Sequence, residues 1–354
     1  MNRHSRLESL DILRGLDLFL LVGLQPVLIS VGRHFDHPAW QCLMYQLDHE
    51  VWTGFRFWDI VMPLFLFMTG AAMPFSFSKY LRGDVPLRHA WLHVAKRVIV
   101  LWILGIVVQG NLLSFRPAEW LWYTNTLQAI AAGYLLASIL MLCFNLRMQL
   151  WLTLGLLLCY SIPMSTIGDW TVEHNFAARI DAMVLGTMRG DITYTWIWSS
   201  LTFGVTVMLG TFASRIIRRY STRATVRLAA AGCAFIAVAM LWSLETPIIK
   251  RIWSGSMTLL SGGICFLLMA IMHWWVDVKH HTTGLLWLKI YGMNSITAYI
   301  LGEVVNFRSI AASVSWGLEP ILGQWWDTWL TTANYLIVFL ILLAMYRTKT
   351  FIKI

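Results

Sequence analysis

Stretches of about twenty mostly apolar residues recur along this chain, and nothing else constrains its fold as strongly. An α-helix needs about that many residues to cross roughly 30 Å of hydrocarbon. Backbone polar groups find no water inside a bilayer, so a crossing segment must satisfy them within a helix or a closed barrel. Ten such segments can be read, at 9–31, 57–78, 90–110, 123–143, 147–164, 195–213, 226–243, 254–276, 285–304 and 329–346. They predict an all-α polytopic membrane protein of about ten transmembrane helices. No linker or low-complexity run divides it, so 1–354 reads as a single transmembrane domain. Composition agrees: 58% of residues are hydrophobic and 13% charged, against roughly 45–50% and about 25% in soluble domains. The first segment carries Asp11, Arg14 and Asp17 and has no small-x-small cleavage site, so it reads as a retained span rather than a cleaved leader.

An even number of spans puts both termini on one side. One set of loops and tails holds Arg3, Arg6, Lys79, Arg82, Arg88, Arg147, Arg215, Arg218, Arg219, Arg223, Lys279, Arg347, Lys349 and Lys353. The alternate set holds fewer: Arg33, Arg56, Arg116, Arg179, Arg189, Lys250, Arg251 and Arg308. The positive-inside rule makes the first set, and both termini, cytoplasmic. Loops 32–56, 165–194 and 305–328 then face outward. The formal charge of +9 sits in these short loops, which argues for lipid contact and against nucleic acid. Five Cys at 42, 143, 159, 233 and 265 show neither disulfide nor metal spacing.

Polar residues inside the spans carry the functional signal. In the stretch DHEVWTGFRFWDIVMPLFLF (48–67), His49 lies at the mouth of the second span and Asp59 one step inside it. A carboxylate in such a helix costs up to about 2.5–3.5 kcal/mol on insertion scales and must face a partner or a polar cavity. Either it caps or pairs with a neighbouring helix, or it orients His49. Pro63 removes a backbone donor and would loosen the turn holding Asp59. Lys96 and Arg97, a turn inside the third span, either snorkel to headgroups or clamp the phosphates of a ligand. The run RIIRRYSTR (215–223) has the same two readings. Gln25, Asn125 and Gln128, the segment with Lys250, Trp253 and Ser254, and Asn294 with Ser295 put further polar groups on the first, fourth, eighth and ninth spans. Each has a packing role available. Together they predict a polar conduit through the bundle. An external His beside a carboxylate suits general-base or nucleophilic acyl transfer.

Several blocks carry a family resemblance: SLDILRG (9–15), HEVWTGFRFWDIVMPLFLFMTG (49–70), LQAIAAGY (127–134), KRIWSGSMTLLSGG (250–263) and GMNSITAYILGE (292–303). In this order they resemble the heparan-α-glucosaminide N-acetyltransferase family and its bacterial members. The most specific block is His49, Trp52, Gly54, Asp59 and Pro63. The resemblance implies a dimeric bundle of ten or eleven helices in the bacterial inner membrane. It implies acetyl-CoA bound from the cytoplasm, no metal, and acetyl transfer to a glucosamine amine on the periplasmic side. His49 would then be general base or acyl carrier, with Asp59 orienting it. Lys96, Arg97, Asn294 and Ser295 would meet the coenzyme. Gln25, Trp52, Asn125, Gln128, Lys250, Trp253 and Ser254 would meet the acceptor. The animal enzymes have Asn where Gln25 aligns, fewer residues before the histidine, and a large luminal domain not seen here. A bacterial amino sugar or cell-wall fragment is therefore the expected acceptor rather than a heparan chain. An amino-sugar transporter is the alternative reading, and a silent envelope scaffold the third.

Overall fold

The computed structural model describes residues 7–110, 115–116 and 120–352. Arg3, Arg6 and Lys353, counted above among the basic tails, lie outside the described residues. Among those described, nine helical runs are long and apolar enough to cross a membrane. They are α1 (Glu8–Gly32), α2 (Phe57–Ser76), α3 (Leu87–Gln109), α4 (Thr126–Cys143), α5 (Leu146–Thr166), α6 (Ser200–Tyr220), α7 (Ala224–Trp242), α8 (Gly255–Val278) and the run Arg308–Arg347. The expected span 285–304 is instead two short helices, α9 (Leu286–Met293) and α10 (Ser295–Val304), broken at Asn294 with φ −120° and ψ 42°. The last run ends in one continuous helix, α11 (Trp326–Arg347).

Two irregularities have local causes. In α1 a π-turn spans Leu20–Leu24 and Val22 leaves helical geometry at φ −103°, ψ 19°. Pro26 lies four residues on. Its ring crowds the carbonyl of Val22 and offers that carbonyl no N–H. The start of α2 is a 3₁₀ turn, Phe57–Ile60, before the α-helix proper begins at Val61. Pro63 therefore falls in the first α-turn, where a missing donor costs least.

Small residues let the helices meet backbone to backbone, the packing mode expected where lipid removes the hydrophobic drive between helices. A Cβ on Gly15 of α1 would sit 1.8 Å from the Leu288 carbonyl oxygen of α9, and one on Gly292 of α9 would sit 1.8 Å from the Asp11 carbonyl oxygen. Gly70 of α2 and Gly210 of α6 face the Val207 and Phe67 carbonyls in the same reciprocal way, at 1.8 and 1.9 Å. These contacts fix α1 to α9 and α2 to α6. Two cavities lie beside α1 and α2, lined also by residues of α3, α4 and α10.

Candidate active site

The loop 48–56 carries His49 to the mouth of α2, and several bonds hold it there. The Gln25 side-chain amide donates to the Leu47 carbonyl at 2.6 Å. Arg56 pairs with Glu50 at 3.0 Å and lies over the Tyr45 ring at 3.8 Å. Thr53 forms an antiparallel bridge with Ile249, and the Gly54 N–H donates to the Ile248 carbonyl at 2.8 Å. Gly54 has φ +136°, and a Cβ there would press on the Glu50 side chain at 3.1 Å, so glycine alone fits this turn without strain. The bridge brings position 250 beside position 49.

The loop carrying Lys250 is equally fixed. The Ser254 hydroxyl accepts from the Ile249 N–H at 3.1 Å, donates to the Pro247 carbonyl at 2.8 Å and caps α8. The Arg251 carbonyl accepts from the Thr195 N–H at 3.2 Å. The Ile252 carbonyl accepts from Ser199 at 2.9 Å and from the Tyr160 hydroxyl.

His49, Asp59 and Lys250 meet at this junction. His49 Nδ1 is 2.9 Å from Asp59 Oδ1. Asp59 is fully buried. Its Oδ2 accepts the backbone N–H groups of Arg56 at 2.9 Å and Glu50 at 3.3 Å. An ionised carboxylate can only accept, so the proton of a neutral imidazole sits on Nδ1 and leaves Nε2 with its lone pair. Lys250 Nζ lies 2.8 Å from Nδ1, 3.1 Å from Nε2 and 3.6 Å from Asp59 Oδ1. With Nδ1 bonded to Asp59, the ammonium donates to Nε2. Desolvation lowers the His49 pKa, with the Lys250 charge in the same direction and the bond to Asp59 opposing. Burial brings Lys250 down to about 8, with Asp59 holding it up. The imidazole is thus neutral, and the amine mostly charged, near pH 7.

His49 and Lys250 open onto a chamber of about 450 Å³. Asn125, Gln109, Arg189, Asp191 and Glu303 also line it, with the hydroxyl residues Thr124, Thr126, Tyr194 and Tyr299. A second cavity, of about 500 Å³, lies toward the chain termini, where Leu7 and Ile352 line it. Arg14, Arg97 and Arg218 make it cationic, His93 also lines it, and Asp11, 4.0 Å from Arg14, is the acidic side chain on its wall. Arg97 lies over the Tyr134 ring at 4.5 Å, and its Nε is buried without a partner. Arg218 donates to the Pro74 carbonyl at 2.8 Å. Phe65, Thr126 and Tyr299 line both cavities, so the partition between them is one layer of side chains.

The residues singled out in the sequence divide accordingly. His49, Lys250 and Asn125 line the first chamber, with Asp59 buried behind them. Arg97 and Ser295 line the second cavity. Lys96 is exposed and lines neither. Gln128 is fully buried and closes the start of α4, accepting from Thr124 and Asn125 and donating to the Trp122 carbonyl. Trp52 donates to the Trp170 carbonyl at 2.7 Å. Trp253 is buried against Phe203 and donates to Thr206 at 3.2 Å. Gln25 and Ser254 shape the two loops. Asn294 lies at the helix break with both amide atoms buried and unpartnered. Sequence reasoning passed over Arg14, His93, Arg189 and Asp191 as lining groups. Arg14 stood out only as a charge in an apolar span, and the loop holding Arg189 and Asp191 has no periodicity to reveal it.

Comparison with known proteins gives concordant results. The profile of the heparan-alpha-glucosaminide N-acetyltransferase catalytic family matches residues 6–248. The human protein named heparan-alpha-glucosaminide N-acetyltransferase is 24% identical over 364 aligned positions, which cover 84% of this chain and 53% of that protein. The mouse protein of the same name is 23% identical over 367, covering 85% and 54%. The chain thus spans about half the length of the curated relatives it matches.

Proposed function

The chain belongs to the heparan-alpha-glucosaminide N-acetyltransferase catalytic family, and from that premise we propose that it is a transmembrane N-acetyltransferase. The donor is acetyl-CoA, held in the cationic cavity at the cytoplasmic face. The acceptor is the amine of a glucosamine-type sugar, held in the His49 chamber at the periplasmic face of a bacterial inner membrane. Lipid and a second copy of the chain as partners belong to the same proposal. The observation that carries it is the pair of cavities. One is cationic, the other holds a neutral imidazole, and they share Phe65, Thr126 and Tyr299.

The residues fit a coenzyme with phosphates. Arg14, Arg97 and Arg218 converge on one cavity, and the buried, unpartnered Nε of Arg97 offers the charge-assisted bonds that phosphate oxygens accept. Bound there, acetyl-CoA supplies an acyl group activated as a thioester. Ser295 and Tyr299 line the way toward the partition. On the other side, an amino sugar arrives as an ammonium and must lose a proton before its nitrogen can attack. Nε2 of His49 is the ring nitrogen that takes that proton. Asp59 holds Nδ1 and stabilises the imidazolium that forms.

The test is transfer of radiolabel from acetyl-CoA by the purified protein, with and without glucosamine, in wild type and His49→Ala. Label on the sugar, absent in the variant, is expected. No coenzyme binding and no label in either protein would overturn the reading. The helix break at Asn294 favours a second reading, because secondary transporters build substrate sites from broken helices. Uptake of labelled amino sugar into vesicles without any acyl donor would establish that instead.

A further inference from the structure

We propose that Lys250 is a catalytic residue, whose ammonium binds the oxygen of the reacting carbonyl as that oxygen takes on negative charge. The proposal rests on the transferase reading and deepens it.

Position separates this role from that of a mere counter-ion. A cation present only to neutralise Asp59 would sit on the carboxylate. Lys250 Nζ is nearer to both imidazole nitrogens, at 2.8 and 3.1 Å, than to Asp59 Oδ1 at 3.6 Å. It therefore lies between the two ring nitrogens, 3.1 Å from the Nε2 that meets the reacting amine. A carbonyl brought to an amine that rests on Nε2, or joined to Nε2 itself, places its oxygen one bond away, within reach of the same ammonium. The other cationic side chain lining this chamber, Arg189, donates Nη1 to the Ala178 carbonyl at 3.3 Å. Lys250 is 5% exposed, and its backbone is tied to the His49 loop by the neighbouring bridge. A donor fixed in a site with little water stabilises developing charge far better than one free to reorganise. Its pKa of about 8 leaves it charged at neutral pH.

The amine nitrogen forms a bond to the thioester carbon. The C=O π pair moves onto oxygen, where Lys250 binds it. The C=O bond re-forms as C–S breaks, and the departing pair stays on sulfur. The ammonium gives up two protons in all. His49 takes one and passes it to solvent, and the other ends on the thiolate.

The experiment compares wild type with Lys250→Met, Lys250→Gln and Lys250→Arg. It measures kcat and KM for both substrates across pH, coenzyme binding by calorimetry, and titration of the His49 imidazole by NMR. His49 is faced by Asp59 and Lys250, by Asp48 on its own loop, and across the chamber by Arg189, Asp191 and Glu303. Removing the lysine charge is expected to lower kcat by about 10²–10³, the usual loss for one oxyanion donor, with coenzyme binding and acceptor KM little changed. The acidic limb and the His49 titration should both move to higher pH, and Lys250→Arg should recover part of each effect. Lys250→Gln gives the same two readouts where the Met variant fails to fold. A kcat within threefold of wild type, or a fallen kcat with the His49 titration unmoved, would overturn the proposal and leave the transferase reading intact. A wild-type protein that acetylates no amine would overturn both.

Discussion

Replacing Asp59 by Asn tests whether a buried carboxylate sets the chemistry of His49. The backbone N–H groups of Arg56 and Glu50 both point at Oδ2, at 2.9 and 3.3 Å, so they fix the amide oxygen of Asn at that position. The amide NH₂ must then face His49 Nδ1, where Oδ1 stood at 2.9 Å. Nδ1 becomes the acceptor, the proton moves to Nε2, and the ring loses the lone pair it needs as a base. A charge-assisted hydrogen bond contributes about 1.5–3 kcal/mol. The Coulomb attraction between carboxylate and imidazolium, at about 4 Å and an effective dielectric near 20, gives an upper bound of about 4 kcal/mol. His49 is open to the chamber on one side, which pulls the figure toward the lower end. At about 1.36 kcal/mol per decade, kcat should fall between about tenfold and a thousandfold. The assay is initial-rate acetyl transfer by protein in lipid nanodiscs, with coenzyme affinity measured alongside. Asp59 does not line the cationic cavity, so that affinity should hold. A variant with kcat within about twofold of wild type at every pH would refute the reasoning.

Two other outcomes follow from the same geometry. Because desolvation lowers the His49 pKa, the imidazole stays neutral at pH values where a free one, near 6.5, is protonated; the acidic limb of kcat/KM should fall below 6.5, and the basic limb near 8, where Lys250 loses its charge. An acidic limb above 6.5 would contradict the environment described for the ring. Gly70→Ala should lower the thermal midpoint and the folded yield, because the new Cβ would lie 1.8 Å from the Val207 carbonyl and overpacking of this kind costs about 1–3 kcal/mol or more. Gly155→Ala, with nothing within 4 Å of its Cβ, is the control, and equal midpoints for the two would remove the role given to this contact.

The spans were legible because bilayer crossing imposes a length and a composition that few other structures share. The break at Asn294 was not, because 285–304 holds no proline and reads as one apolar run. His49 and Asp59 were legible through one motif on one short segment. Lys250 was visible as a polar residue, yet its place against the imidazole depends on the bridge between Thr53 and Ile249. Gln128, Ser254 and Trp253 show why the rest of the site blurred. A polar group that closes a helix end and one that lines a cavity need the same residue types at the same positions, and only the direction of the side chain separates them. Arg218 and Lys96 are a matched case. Lys96 was expected to meet the coenzyme and Arg218 to face lipid phosphate, with coenzyme contact as its lesser reading, yet only Arg218 turns into the cavity.

The partition formed by Phe65, Thr126 and Tyr299 has a consequence for the proposed transfer. A thioester whose phosphates rest among Arg14, Arg97 and Arg218 must pass its acyl end between these three side chains to reach His49 and Lys250. The carbonyl, its sulfur and the amine then meet in the same chamber, and the stem of the coenzyme fills the gap in the layer. The donor is thus its own plug: while it is bound, the two chambers do not communicate, and the bilayer stays sealed through a reaction that reaches across it.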